Sequence, residues 1–195
     1  MRIGVLGGTF DPVHIAHLVI AEHAREQLSL DGVLFIPAGE PWRKSEREIT
    51  PAKHRLAMLR IAIAGNDAFG VSDIELRRSG PTYTADTLAK LAGDRLDDGF
   101  WFIVGADALA DLPQWHEPAR IVQHARLAVA PRDVQDANIV AQGVPEFRDR
   151  IDFFRAPRME LSSTDIRGRV AAGQSIRYLV PDGVAAYIAQ QRLYA

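Results

Sequence analysis

The chain begins Met1-Arg-Ile-Gly-Val-Leu6 and runs directly into Gly7-Gly-Thr-Phe-Asp-Pro-Val-His-Ile-Ala-His-Leu18. The first six residues form a short apolar run of the kind that fills a parallel strand covered on both faces. Two glycines turn the chain, and from Ile15 to Leu28 the apolar residues recur at helical spacing. A helix start at about Pro12 follows from the residue types. Asp11 can accept a hydrogen bond from a free backbone N–H, and a proline at the first helical position lacks the N–H that would be left over. His14 and His17, three apart, then share one face of the first turns. Unpaired N–H groups and the positive helix end favour an anion above the strand. Gly7 and Gly8 let it approach the backbone without meeting a Cβ, and two imidazoles add donors. The stretch is neither the dinucleotide fingerprint G-x-G-x-x-G nor a P-loop, since no Gly-Lys-Ser/Thr follows.

Bulk properties restrict what such a site can serve. A chain of 195 residues fits one domain with a single core. A net charge of −2 supplies no global field for nucleic acid, so any basic site is local. The absence of cysteine excludes disulfides, thiolate metal sites and a catalytic thiol. No run approaches the ~20 apolar residues of a membrane span, and no secretion signal precedes the first strand. A cytoplasmic protein is expected. Nothing in the sequence gives an oligomeric state.

Further along, Val33–Pro37 reads as a second strand, followed by a charged surface loop from Ala38 to Glu48. Lys44 in that loop lies just beyond a strand's C-terminal end, where open α/β sheets bind ligands. Residues 51–64 form an amphipathic helix, with Leu56, Met58, Leu59, Ile61 and Ile63 apolar and Lys53, Arg55 and Arg60 interleaved. Its role is read as packing. A third strand is expected at Phe69–Ile74. Thr84 within Gly80-Pro-Thr-Tyr-Thr-Ala-Asp-Thr-Leu88 is expected to cap a helix ending at Gly93. Phe100–Gly105 is an aromatic and β-branched strand. Asp107 beyond it is either a helix cap or an acceptor for ribose hydroxyls. Trp115, after Pro113, is either a packing residue or a flat platform for a planar ring. Strands are expected at 125–131, with Arg132 at the same edge, and at 151–155. Residues 133–150 show no clear pattern. Ser162-Ser-Thr-Asp-Ile-Arg167 opens a helix capped by serine or threonine and ended by Gly173, with Arg167 one turn in. That is either a second anion site or a well-capped helix. A closing helix over 182–192 carries Val184, Tyr187, Ile188 and Leu193 as a packing stripe.

GGTFDPVHIAH resembles the first motif of the nucleotidyltransferases that share an H-x-G-H signature, with Ala16 in place of the usual glycine. Gly80–Leu88, Leu112-Pro-Gln-Trp115 and Ser162–Arg167 are similar to stretches of one branch, the nicotinate-nucleotide adenylyltransferases, and the likeness runs from Arg2 to Tyr194. The resemblance implies a Rossmann-like α/β fold, doubly wound with a mostly parallel sheet, as a single domain over 1–195. It implies transfer of the adenylyl group of ATP to nicotinate mononucleotide, with release of pyrophosphate and with Mg²⁺ carried by ATP. His17, His14, Lys44 and Arg167 would be the catalytic set. ATP would also meet Gly7, Gly8, Thr9, Phe10, Gly105, Asp107, Ser163 and Thr164. The nicotinate nucleotide would meet Tyr83, Thr84, Trp115, Asp107 and Arg132, the N–H groups at Tyr83 and Thr84 favouring a carboxylate over a neutral carboxamide. Two departures stand out: Pro131 precedes Arg132 where the family has the reverse, and Trp42-Arg43 replaces the commoner Pro-His before Lys44. Nucleic acid and membrane are not expected partners, and no dedicated metal ligands are visible. The histidines have two other readings, as surface residues or as zinc ligands lacking a third partner. Two other functions remain open. Pantetheine-phosphate adenylyltransferase would share the ATP motifs but lack Thr82–Leu88 and the L-P-x-W stretch. A non-catalytic nucleotide-binding module would bind ATP without releasing pyrophosphate.

Overall fold

The computed structural model describes residues 1–39, 49–131 and 143–195. In chain order the described elements are β1 (Arg2–Gly8), α1 (Ile15–Gln27), β2 (Gly32–Pro37), α2 (Ala52–Ile63), β3 (Phe69–Val71), α3 (Thr84–Asp94), β4 (Gly99–Gly105), α4 (Ala106–Ala110), α5 (Pro118–His124), β5 (Arg126–Ala130), β6 (Ile151–Phe153), α6 (Ser163–Ala171) and α7 (Asp182–Gln191). Short 3₁₀ turns occupy Leu112–Gln114 and Pro145–Arg150.

The six strands form one sheet in the order β3-β2-β1-β4-β5-β6. Every neighbouring pair is parallel, where the sequence led us to expect a mostly parallel sheet. Parallel pairing sends all C-terminal strand ends to one edge. The order reverses direction between β1 and β4, which opens a crevice at that edge.

The strands are apolar at consecutive positions because both faces are covered. Along β4, Phe100, Phe102 and Val104 join one core with Ile3, Val5, Leu127 and Val129 under α3, α4 and α5. Trp101 and Ile103 point the other way and join Leu6, Phe35 and Ala128 under α1, α2, α6 and α7.

Several local expectations need correction. The first helix starts at Ile15, not Pro12; Asp11–Pro12 is a cis peptide in a turn. Asp11 does not cap α1. Its side chain is buried, and the hydroxyl of Tyr194 donates to it at 2.8 Å. The residue flanking α3 is Tyr83, so Thr84 is the first helical residue rather than the cap, and the helix runs through Gly93 to Asp94. Helix α5 was not anticipated. It has seven residues and follows Glu117, which holds a left-handed φ of 49°, so its periodicity is too short to register. The last two helices start at Ser163 and Asp182 as expected, and Gly173 takes the positive φ of 66° that ends the first of them.

Candidate functional site

The segment between β1 and α1 is shaped by close contact rather than by helix geometry. Phe10 has a φ of 49°, a region where a residue with a Cβ is strained. Its ring is 2% exposed and stacks edge-on against His17, with centroids 5.0 Å apart. That ring explains Gly8: a Cβ there would lie 3.1 Å from it. Gly7 has ordinary space, since a Cβ would stand 3.7 Å from Phe102.

His14 lies just outside α1 with extended backbone, and His17 is in its first turn. The backbone N–H of His14 donates to Nδ1 of His17 at 3.2 Å. With Nδ1 as acceptor, a neutral His17 ring carries its hydrogen on Nε2. The two rings stack at 3.7 Å and 29°. Burial pushes the His14 pKa from 6.5 down to about 4, so its ring is uncharged at neutral pH. His14 Nδ1 is buried without a hydrogen-bonding partner in the protein. Such an atom is costly unless a ligand completes it. The Ile15 N–H at the helix start is already used by the Leu179 carbonyl at 3.0 Å, so fewer N–H groups are open there than the sequence suggested.

The start of α6 is tied to this segment. The Ser162 hydroxyl caps the helix by accepting from the Asp165 N–H at 3.1 Å. The Ser163 hydroxyl donates to the Pro12 carbonyl at 2.8 Å. Arg167 donates from Nη1 to the Asp11 carbonyl at 2.6 Å and from Nη2 to Thr164 Oγ1 at 3.0 Å. The two segments therefore face each other across a cavity of about 560 Å³. Gly8 to Asp11, His14 and His17 line one side of it, and Leu161 to Thr164 and Arg167 the other. Eight of the residues expected at an ATP site share this cavity: Gly8, Thr9, Phe10, His14, His17, Ser163, Thr164 and Arg167.

A second cavity of about 220 Å³ is lined by Ala16, which lies between the two histidines in the chain. Gly105, Ala106 and Asp107 beyond β4, Ala130 and Pro131 beyond β5, and residues 156–159 complete a largely apolar slot with Asp107 on its wall. Gly105 and Asp107 are thus brought to the same strand edge as the histidines, at the order reversal of the sheet.

Tyr83, Thr84 and Trp115 line neither cavity. Tyr83 stacks on His116 with centroids 4.1 Å apart, which brings the start of α3 to the turn holding Trp115. Trp115 is half-buried and packs edge-on against Phe102 at 6.0 Å. Phe102 in turn lies beside Gly7, near the end of β1. Lys44 and Arg132 lie outside the described residues.

The family model for cytidylyltransferase-like proteins matches residues 5–169. The chain is 47% identical to a Thermomicrobium roseum protein named "Probable nicotinate-nucleotide adenylyltransferase", covering 99% of this chain and 91% of that one. A Roseiflexus protein of the same name is 49% identical over 98% and 97% of the two chains. The chain belongs to the nicotinate-nucleotide adenylyltransferase family. A solved structure titled as the Plasmodium falciparum nicotinic acid mononucleotide adenylyltransferase complexed with NaAD has the same fold, with a TM-score of 0.79 at 19% identity over 99% and 97% of the chains. The same Plasmodium enzyme complexed with APC gives 0.77 at 19% identity over 99% and 96%.

Three residues of this family member were given no site role by sequence reasoning. Arg55 was read as part of the polar face of α2, yet it is 2% exposed. It donates to the carbonyls of Thr9, Ala38 and Thr50, each at 2.9 Å. Its spacing was the available signal, because it lies three and four positions before the buried Met58 and Leu59 and so shares their face. Asp11 was read as a cap, and Tyr194 only as the end of the family likeness. Their mutual contact spans 183 positions and leaves no local trace.

Proposed function

We propose that this chain transfers the adenylyl group of ATP to nicotinate mononucleotide, releasing pyrophosphate and forming nicotinate adenine dinucleotide. The observation that carries the reading is the shared cavity: His14 and His17 on one wall, Ser163, Thr164 and Arg167 on the other. The attacking group is a phosphate oxygen, ionised at neutral pH, so no general base is required. The enzyme has to align the two phosphates and neutralise charge as it develops.

On this reading the triphosphate lies between the two walls. His17, with its hydrogen on Nε2, donates to the α-phosphate as negative charge builds there. His14, neutral in the free protein, turns a ring N–H to a phosphate oxygen. Ser163, Thr164 and Arg167 hold the outer phosphates, and Gly7 to Phe10 supply backbone beside them. Lys44 is assigned to the phosphates as well. Adenine fits the apolar slot at Ala16, with its ribose on Asp107. The nicotinate nucleotide takes the opposite side of the crevice. There Trp115 offers a ring face, the N–H groups at Tyr83 and Thr84 favour the carboxylate, and Asp107 and Arg132 meet the ribose and phosphate.

Mg²⁺ is read as entering with ATP. Asp11 is the single carboxylate among the described residues lining the main cavity, and it already accepts from Tyr194. A donor set of hydroxyls and imidazoles fits a metal held by phosphate oxygens. When bound, the ion neutralises charge on the outer phosphates. No helix among the described residues is long and apolar enough to cross a membrane. Both substrates are charged metabolites, and we assign the activity to the cytoplasm.

The test is pyrophosphate release from ATP with nicotinate mononucleotide, run beside the amide form and 4′-phosphopantetheine. Turnover with the acid form supports the reading. Turnover confined to the pantetheine substrate, or ATP binding without pyrophosphate release, overturns it.

A further inference from the structure

The turn from Thr9 to Pro12 is held from several sides. Arg55, on α2, bonds the Thr9 carbonyl at 2.9 Å. Arg167, on α6, bonds the Asp11 carbonyl at 2.6 Å, and Ser163 bonds the Pro12 carbonyl at 2.8 Å. A further tie is to the Asp11 side chain, which is 1% exposed. Tyr194, just beyond α7, donates its hydroxyl to Asp11 Oδ1 at 2.8 Å. Burial raises the Tyr194 pKa, so the phenol keeps its hydrogen and acts as the donor.

Asp11 thus does two things at once. Its carboxylate is fixed by Tyr194, and its carbonyl fixes the guanidinium of Arg167, which lines the cavity. Both Arg55 and Arg167 lie near enough to exert charge on this pair of residues. Without the tyrosine hydroxyl, the carboxylate becomes the better partner for a guanidinium than the carbonyl 2.6 Å away from it. Arg167 would then turn from the cavity toward Asp11.

We propose that Tyr194 is a positioning residue for phosphate binding, acting through Asp11 to keep Arg167 and the strained turn at Phe10 in their working arrangement. This rests on the adenylyl-transfer reading. The hydroxyl can be removed without disturbing the ring, which makes Tyr194→Phe the informative variant. Tyr187→Phe is the control, because it removes another tyrosine hydroxyl, on α7, whose partner is His54 at 2.9 Å, away from the cavity.

Tyr194→Phe should raise KM for ATP about tenfold, the size of a lost hydrogen bond to a charged group. KM for nicotinate mononucleotide should stay within about twofold, and Tyr187→Phe should leave both unchanged. Asp11→Asn, which keeps an oxygen acceptor for the phenol, should retain more ATP affinity than Asp11→Ala. In a double-mutant cycle, Tyr194→Phe should cost little further in the Asp11→Ala background. Backbone amides between Thr9 and Val13 should exchange faster in Tyr194→Phe at equal global stability. The proposal is overturned if Tyr194→Phe lowers the melting temperature but leaves KM for ATP unchanged, or if its effect adds fully to that of Asp11→Ala. A wild type that releases no pyrophosphate would sink the adenylyl-transfer reading alone. ATP binding by calorimetry and the exchange rates would still decide what Tyr194 does.

Discussion

His14 and His17 are adjacent in space but differ in state. His17 has its Nδ1 engaged by the His14 N–H, which leaves Nε2 as its donor. A single well-aimed donor in a preorganised site is worth about 10²–10³ in turnover. His17→Ala should therefore keep its circular dichroism spectrum and lose at least about 10² in pyrophosphate release; near-normal turnover would remove His17 from the chemistry. His14 carries a different signature. Its native pKa of about 4 lies below the unfolded value of 6.5. Between those values the unfolded chain binds a proton that the native protein refuses, so stability rises with pH through this window. The contribution is complete above pH 6.5 and is lost as pH falls toward 4, with a total of at most about 3 kcal/mol. Urea titrations at pH 7.5 and 4.5 should show the wild type losing more stability than His14→Gln by about that amount.

Helices α1 and α6 meet through carbonyl groups that neither helix contains, those of Asp11 and Pro12. Helix α2 supports the same turn from behind through Arg55. The buried guanidinium satisfies carbonyls at Thr9, Ala38 and Thr50, which ties the end of β1 to the end of β2. Burial lowers the pKa of Arg55, but a guanidinium remains charged at neutral pH. Arg55→Leu would leave three carbonyls without their donor and should cost at least about 3 kcal/mol in a denaturation experiment. Arg55→Lys should recover only part of that loss, because an ammonium cannot span three carbonyls as a planar fork does.

Across the molecule, the crevice depends on how closely separate stretches approach beyond the strand ends. Gly39, two residues past β2, is one such point. A Cβ there would lie 2.6 Å from the Glu75 carbonyl oxygen and 2.8 Å from Thr82 Cγ2. Backbone on one side cannot yield as a side chain does, so Gly39→Ala should lower stability by about 1–3 kcal/mol. Thermal unfolding would show it, and an unchanged midpoint would mean that the segments part at little cost. The alternation of strands and helices and the strand edge that carries the cavities were legible from residue order, and the pairing of the 7–17 and 162–167 motifs followed from the family resemblance. Strand burial, helix periodicity, serine capping and glycine at a helix end act over a few residues, and those residues are neighbours in the chain. Position within an element was less secure: Asp11-Pro12 has the composition of a helix start, yet the helix begins at Ile15 and the Asp11 side chain goes to Tyr194 instead. Contacts between distant segments set the remainder. The buried charge of Arg55, the lowered pKa of His14 and the grip of Tyr194 on Asp11 arise where segments far apart in the chain exclude water together, and no local pattern records that meeting.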